Sequence, residues 1–181
     1  DRGYRAHKRL RGHTSHIDSI DWTNDSSSIM STCASQEILY WDVLTGKQIV
    51  DTDSIERDAI WATWSSKMGF PVMGIWKKGQ CFNDVNSVSR SRDLQFVATA
   101  TDDGEVRVFN HPCVVNAAPA IEQRAHAAHV VGLEFLSRAD ITGGGGHLLV
   151  SAGGVDRSVM LWRVTQQRKT SYSSRSSRHS T

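Results

Sequence analysis

An all-β chain of repeated four-stranded antiparallel sheets is the fold this sequence predicts. Two observations carry it. Short alternating strands are separated by turn residues. The same phrase recurs with a period of about 40 residues. The chain has 181 residues and is 39% hydrophobic, enough for one ordinary globular domain.

The first sheet is the clearest. IDSIDW (17–22) alternates apolar and polar positions. SSIMST (27–32) follows a turn at Asn24-Asp25, and EILYWDV (37–43) follows another. LTGKQIV then supplies a turn and a fourth strand. Asn24-Asp25-Ser26 has the form of a glycosylation sequon, but without a secretory signal it reads as a turn.

The phrase then returns. QFVATATDDGEVRVFN (95–110) repeats the layout of residues 28–42, and HLLVSAGGVDRSVMLWRV (147–164) is a third copy. Gly12-His13 stands before the first copy and Ala125-His126 before the third. Trp41 and Trp162 are 121 residues apart, about three such periods. Gly-His at the start and Trp-Asp at the end, at this period, resemble the WD40 repeat. The resemblance covers residues 10–164 and implies β-propeller blades. In that family a His, a Ser or Thr, an Asp and the Trp hydrogen-bond together and satisfy polar groups that a thin blade would leave unpaired.

The copies match that network unevenly. Copy one has His13, Ser31 and Trp41, with Ser35 at the Asp position. Copy two has Thr99 and Asp103, but Phe109 stands for the Trp and no His precedes it. Copy three has His126, Asp156 and Trp162, with Ala152 at the Ser/Thr position. No copy reads as complete, so apolar packing is expected to carry the blades. Three blades cannot close a ring, and each blade buries its faces only against neighbours. The chain, which lacks an initiator Met, therefore reads as about three blades from the C-terminal end of a larger propeller. Alone it is expected to fold poorly.

The middle blade is atypical. Trp41 and Phe109 are 68 residues apart, about 28 more than one period. The excess contains AIWATWSSKMGFPVMGIW (59–76), predicted as two strands, AIWATWS and FPVMGIW, around an SKMG turn. Burial of Trp61, Trp64 and Trp76 between blades is favoured over an exposed aromatic patch. RADITGGGGH (138–147) reads as a surface loop. Its glycines lead to His147 and no Gly-Lys-Ser/Thr follows, so it is not a phosphate loop.

These same phrases narrow the family. IERDAIWATW, then GFPVMGIW, then FNHPC (109–113) occur in an order and spacing similar to the last blades of the echinoderm microtubule-associated protein-like family. The resemblance spans about 150 residues and is more specific than the repeat itself. It implies a non-enzymatic scaffold bound to tubulin or microtubules, in the cytoplasm on the cytoskeleton. A WD40 adaptor that binds peptides or proteins in another complex is the alternative. The family's coiled coil, HELP motif and first propeller do not lie in this chain.

Composition excludes other classes. No apolar run approaches the ~20 residues that span a bilayer, so no membrane role is predicted. The net charge is +2; residues 165–181 carry Arg168, Lys169, Arg175 and Arg178 and no acid, which leaves the body near neutral. No nucleic-acid partner is indicated. Cys33, Cys81 and Cys113 are too few and too widely spaced for a disulfide framework. No nucleophile elbow or cysteine-protease setting exists, so no catalytic residue or cofactor is assigned. His13-Thr-Ser-His16 and His126-Ala-Ala-His129 lack the other ligands a metal needs, and structural roles are assigned instead.

Lys77, Lys78, Arg90 and Arg92 form a local basic set in sequence. It suits an acidic surface such as the tails of tubulin, though ordinary solubility charge explains it equally simply and is favoured. The organisation predicted is a basic lead-in (1–10), blades (11–164) and a Ser/Arg-rich disordered tail (165–181). Ser171 and Ser177 in that tail suit basophilic kinases.

Overall fold

The computed structural model describes residues 3–136 and 146–165. The predicted tail with Ser171 and Ser177 and most of the glycine loop lie outside the described residues. Three antiparallel sheets follow one another along the chain. The first holds β1 (Ile17–Trp22), β2 (Ser28–Cys33), β3 (Ile38–Asp42) and β4 (Gln48–Ile49), in that spatial order. The second holds β5 (Val85–Arg90), β6 (Phe96–Thr101), β7 (Glu105–Asn110) and β8 (Ile121–Arg124). The third holds β9 (Val130–Phe135), β10 (His147–Gly153) and β11 (Val159–Val164), three strands among the described residues where four are predicted. Each is a meander, in which consecutive strands are neighbours.

The blades stack in sequence order. β6, FVATAT, is buried at every position because it faces a neighbour on both sides. Phe96, Ala98 and Ala100 pack with Val106 against Val130, Leu133, Phe135 and Leu149 of the third blade. Val97 looks the other way, with Phe109, Val85 and Val88, toward Met30 and Tyr40 of the first blade.

The long connection between β4 and β5 fills the wedge between blades one and two. It holds a short helix α1 (Asp53–Asp58) and two 3-10 turns, Phe70–Val72 and Phe82–Asp84. The two strands predicted for AIWATWS and FPVMGIW do not form. Residues 60–62 instead lie against the free edge of β1. Ala62 N donates to Trp22 O at 2.8 Å, Asn24 N donates to Ile60 O at 2.7 Å, and Thr23 and Trp61 form an isolated bridge. Beyond that, the backbone groups are taken by a side chain. The carboxylate of Asp21, fully buried on β1, accepts from Ser65 N (2.9 Å), Ser66 N (3.2 Å), Thr63 Oγ1 (2.8 Å) and Ser65 Oγ (3.2 Å). A loop whose amides are satisfied this way needs no partner strand. Pro71, lacking an N–H, sits second in the first 3-10 turn rather than in a strand.

Clamped there, Trp61 and Trp64 are buried edge to face, with ring centres 5.9 Å apart, and Trp61 also meets Tyr40. Trp64 Nε1 donates to Ser66 O at 2.9 Å. Trp76 is half-buried and stacks on Phe82, over which Lys67 places its ammonium. Packing is thus what this aromatic stretch does. Gly74 closes the other side. Its N–H donates to Cys113 O at 2.7 Å, and a Cβ there would lie 2.2 Å from Val115 O, so only glycine fits.

Asp21→Ala is expected to cost ~3 kcal/mol, because it leaves several buried donors unpaired at once. Urea unfolding followed by tryptophan fluorescence measures this, and Trp61 and Trp64 should report loosening of the insertion first. A change below ~0.5 kcal/mol would show that the clamp is dispensable.

Candidate functional site

Strand register places the polar residues of each blade. In blade one Ile29 is opposite Trp41, and Ser31 lies two residues on, on the same face. In blade three Leu149 is opposite Trp162, and Ser151 lies two residues on. In blade two Val97 is opposite Phe109, which gives Thr99.

Blade three forms a closed network. His126 Nε2 meets Ser151 Oγ at 2.8 Å, and Trp162 Nε1 donates to the same oxygen at 2.8 Å. His126 Nδ1 meets Asp156 Oδ2 at 2.8 Å. Asp156 also accepts from Ser158 N at 3.1 Å and Ala127 N at 3.3 Å. Burial works against ionisation of Asp156, but the bonds from Ser158, His126 and Ala127 outweigh it and bring its pKa down to about 2. The hydroxyl therefore comes from Ser151, and Ala152 faces the other way. Thr99 and Ser31 both stand ten residues before their aromatic, and that spacing carried to Trp162 picks Ala152. The hairpin of blade three is one residue longer.

Blade one forms the same network with a different acid. His13 Nε2 meets Ser31 Oγ at 2.7 Å, and Trp41 Nε1 donates to it at 2.8 Å. The acid is Glu37, not Ser35. Its Oε2 lies 3.4 Å from His13 Nδ1 and accepts from Thr14 N at 2.9 Å and from the Cys33 thiol at 3.1 Å. Thr14 Oγ1 donates to Oε1 at 2.8 Å. Bonds from the Thr14 amide, the Cys33 thiol and the Thr14 hydroxyl bring its pKa to about 2. Glu37 stands one residue further along its turn than Asp156 does, and its longer side chain makes up the distance. Two blades are thus complete where none reads so in the sequence.

Blade two takes another route. Thr99 Oγ1 is buried without a hydrogen-bond partner among the described residues. Arg107, opposite Thr99 and 2% exposed, is the charged group instead. It donates to Glu105 Oε2 (3.0 Å) and Gln80 Oε1 (3.0 Å) and lies 3.8 Å from Asp103. Asp103 also accepts from Thr101 Oγ1. The sequence signal for it is an arginine inside an apolar alternation, EVRVFN.

Ser151, His126 and Asp156 have the connectivity of a hydrolytic triad. Their surroundings do not serve one. Ser151 is 1% exposed, and its oxygen holds the Trp162 N–H. A nucleophile must reach its substrate, and this hydroxyl is sealed inside a blade.

The basic set is divided in space. Lys77 Nζ binds Glu122 (2.8 Å) and Glu105 (3.0 Å), near the turn after β6. Burial works against its charge, but these bonds prevail and raise its pKa. Lys78 lies exposed beside it. Arg90 ends β5 and Arg92 follows it, about 17 Å along the strand from its start at the usual rise. Arg90 is half-buried and donates to Trp61 O. Both arginines line a cleft of about 580 Å3 along the inner strands, with Ile20, Trp64, Ser87 and Phe135. Lys78 and Arg92 alone of the four make no ion pair or hydrogen bond among the described residues.

The family model for the echinoderm microtubule-associated protein second beta-propeller matches residues 1–164. Echinoderm microtubule-associated protein-like 4 of Xenopus laevis is 36% identical over 166 residues, covering 92% of this chain and 17% of that protein. Echinoderm microtubule-associated protein-like 2 of Homo sapiens is 38% identical over 167 residues, covering 91% of this chain and 24% of that protein. The chain thus spans less than a quarter of the length of these relatives. Among solved structures, that of U3-55K aligns with a TM-score of 0.58 at 20% identity, over 86% of this chain and 51% of that one. A chain of the mitotic checkpoint complex aligns at 0.56 and 16% identity, over 87% and 52%. These likenesses show the fold, a partial WD40 propeller.

The networks generate three stability tests. Ser151→Ala strands the Trp162 and His126 nitrogens and is expected to cost about 2 kcal/mol. Thr99→Val removes an unsatisfied hydroxyl and is expected to be neutral or to stabilise by up to ~1 kcal/mol; chemical denaturation distinguishes the two. The depressed pKa of Asp156 adds stability that is present above its ordinary value of 3.8 and lost as pH falls through about 2. In Asp156→Asn, the urea midpoint should therefore fall less steeply than in wild type between these two pH values.

Proposed function

Because the chain belongs to the echinoderm microtubule-associated protein family, through the second propeller of that family, we propose that it is a non-enzymatic, microtubule- or tubulin-associated WD40 scaffold that contributes to cytoskeleton organisation in the cytoplasm. The observation that carries this reading is the match over residues 1–164, together with relatives named for microtubule association. A scaffold role agrees with the sites described above: the ordered polar groups are spent on closing blades, and the serine hydroxyls of the Ser–His–acid sets are buried inside them.

The other partner is the rest of the propeller. Blade one turns Ile20 and Trp22 outward, 58% and 43% exposed, and blade three turns Val159 and Leu161 outward, 72% and 65% exposed. Further blades of the same protein would bury these faces. For an acidic tubulin surface, Lys78 and Arg92 are the basic residues of the predicted set with charge to spare. Lys77 and Arg90 are committed within the fold.

Co-sedimentation of the purified full chain with stabilised microtubules tests the reading. Binding that weakens with added salt is expected, and Lys78→Glu with Arg92→Glu should lower it several-fold. Unchanged binding of the double variant would remove these two residues from the contact but leave the association standing. Failure of the wild type to sediment would overturn the reading in favour of an adaptor that binds peptides or proteins in another complex.

A further inference from the structure

We propose that His13, Cys33 and Glu37, at the edge of blade one, form a binding site for a single zinc ion. Ligand atoms from all three residues lie within 4.8 Å of one another. Glu37 Oε2 is 3.4 Å from His13 Nδ1 and 3.1 Å from Cys33 Sγ. Four-coordinate zinc, bonded to nitrogen and oxygen at about 2.0 Å and to sulfur at about 2.3 Å, sets its ligand atoms about 3.3–3.7 Å apart. The two separations from Glu37 are within a few tenths of an ångström of those values, and the His13–Cys33 separation, at most 4.8 Å, completes the triangle around a metal.

The comparison of blades one and three shows why the thiol matters. Cys33 stands two residues after Ser31, and Gly153 stands two residues after Ser151, at the end of the equivalent strand. A Cβ on Gly153 would lie 1.9 Å from Asp156 Oδ1 and 2.4 Å from His126 Nδ1. That strand position therefore aims straight at the His–acid pair. Blade three closes its network with no side chain there. Blade one puts a thiol there, which the network does not require, and softens the donor set to imidazole, thiolate and carboxylate. Softness of this kind favours zinc over calcium or magnesium.

The surrounding bonds suit a loaded site. Thr14 N and Thr14 Oγ1 each donate to one oxygen of Glu37 and hold the carboxylate in place. Ser31 Oγ has two lone pairs, so it can accept from His13 Nε2–H as well as from Trp41 Nε1–H. That tautomer frees His13 Nδ1 as a ligand. On binding, the Cys33 thiol gives its proton to solvent, and the proton on Nδ1 is replaced by one on Nε2. The side chain of Glu37 is 32% exposed while that of His13 is 7% exposed, so the way in, and the fourth position for water, lie on the glutamate side.

The test uses the full chain with exposed Cys81 changed to Ser, titrated with Co2+ as a spectroscopic stand-in and then with Zn2+. One equivalent of Co2+ should give near-ultraviolet thiolate charge-transfer absorption with the visible bands of four-coordinate cobalt, and Zn2+ should abolish both. Cys33→Gly, which installs the residue that blade three carries, should abolish the charge-transfer band. Glu37→Gln should weaken Zn2+ at least tenfold in chelator competition. Absence of the band before either substitution overturns the proposal. So does zinc affinity that neither variant changes, which would mark adventitious metal. Glu37→Gln leaves the thiol intact, so its result stands even where Cys33→Gly folds poorly.

Discussion

A four-stranded sheet with apolar residues on both faces cannot cover itself, and everything else in this chain answers that constraint. β6 is its purest expression, six residues with no exposed position, sandwiched between blades one and three. Each inward-facing residue has to find its contact on another sheet. The propeller follows from that requirement, because twisted sheets of similar size stack around an axis more readily than they pair flat. The unusual insertion is one consequence. Blades one and two do not meet closely enough to close their own wedge, and Trp61, Trp64, Val72 and Ile75 fill it.

Polar groups inside such stacks have to be satisfied locally, and the three blades do so in three ways. Blade three uses His126, Ser151, Asp156 and Trp162. Blade one keeps the histidine, serine and tryptophan but moves the acid onto a longer side chain, Glu37. Blade two gives up the histidine and indole and buries Arg107 among Glu105, Gln80 and Asp103. A buried guanidinium needs several acceptors, and the neighbourhood of β7 supplies them. Thr99 is left in this arrangement with a hydroxyl that has no partner among the described residues.

The sheets were legible in the sequence because period-two alternation and turn residues are local signals, and the repeats because an aromatic closes each phrase. What escaped was set by distance. Asp21 reads as an ordinary polar position of an alternating strand, and nothing near it says that its oxygens will serve amides more than forty residues on. Without that clamp, AIWATWS and FPVMGIW do look like strands. Ser151 escaped for a smaller reason, a hairpin one residue longer that only the paired register reveals, and Glu37 because it stands two residues past the position where the repeat puts the acid and reaches back with a longer side chain. The four basic residues were neighbours in sequence, but the length of β5 and the carboxylates of Glu105 and Glu122 divide them.

In every blade the face that carries the Trp or Phe position looks back along the chain. Phe109 packs toward blade one and Trp162 toward blade two. The Trp41 face of blade one therefore points away from its neighbours, while the Val159 and Leu161 face of blade three points onward. The stack has a direction, like bricks with a stud above and a socket below. Copies meeting through these ends meet head to tail, never by a twofold axis, and such contacts either close into a ring or run on without limit. Closure by further blades of one molecule would keep so directional a stack from becoming a filament.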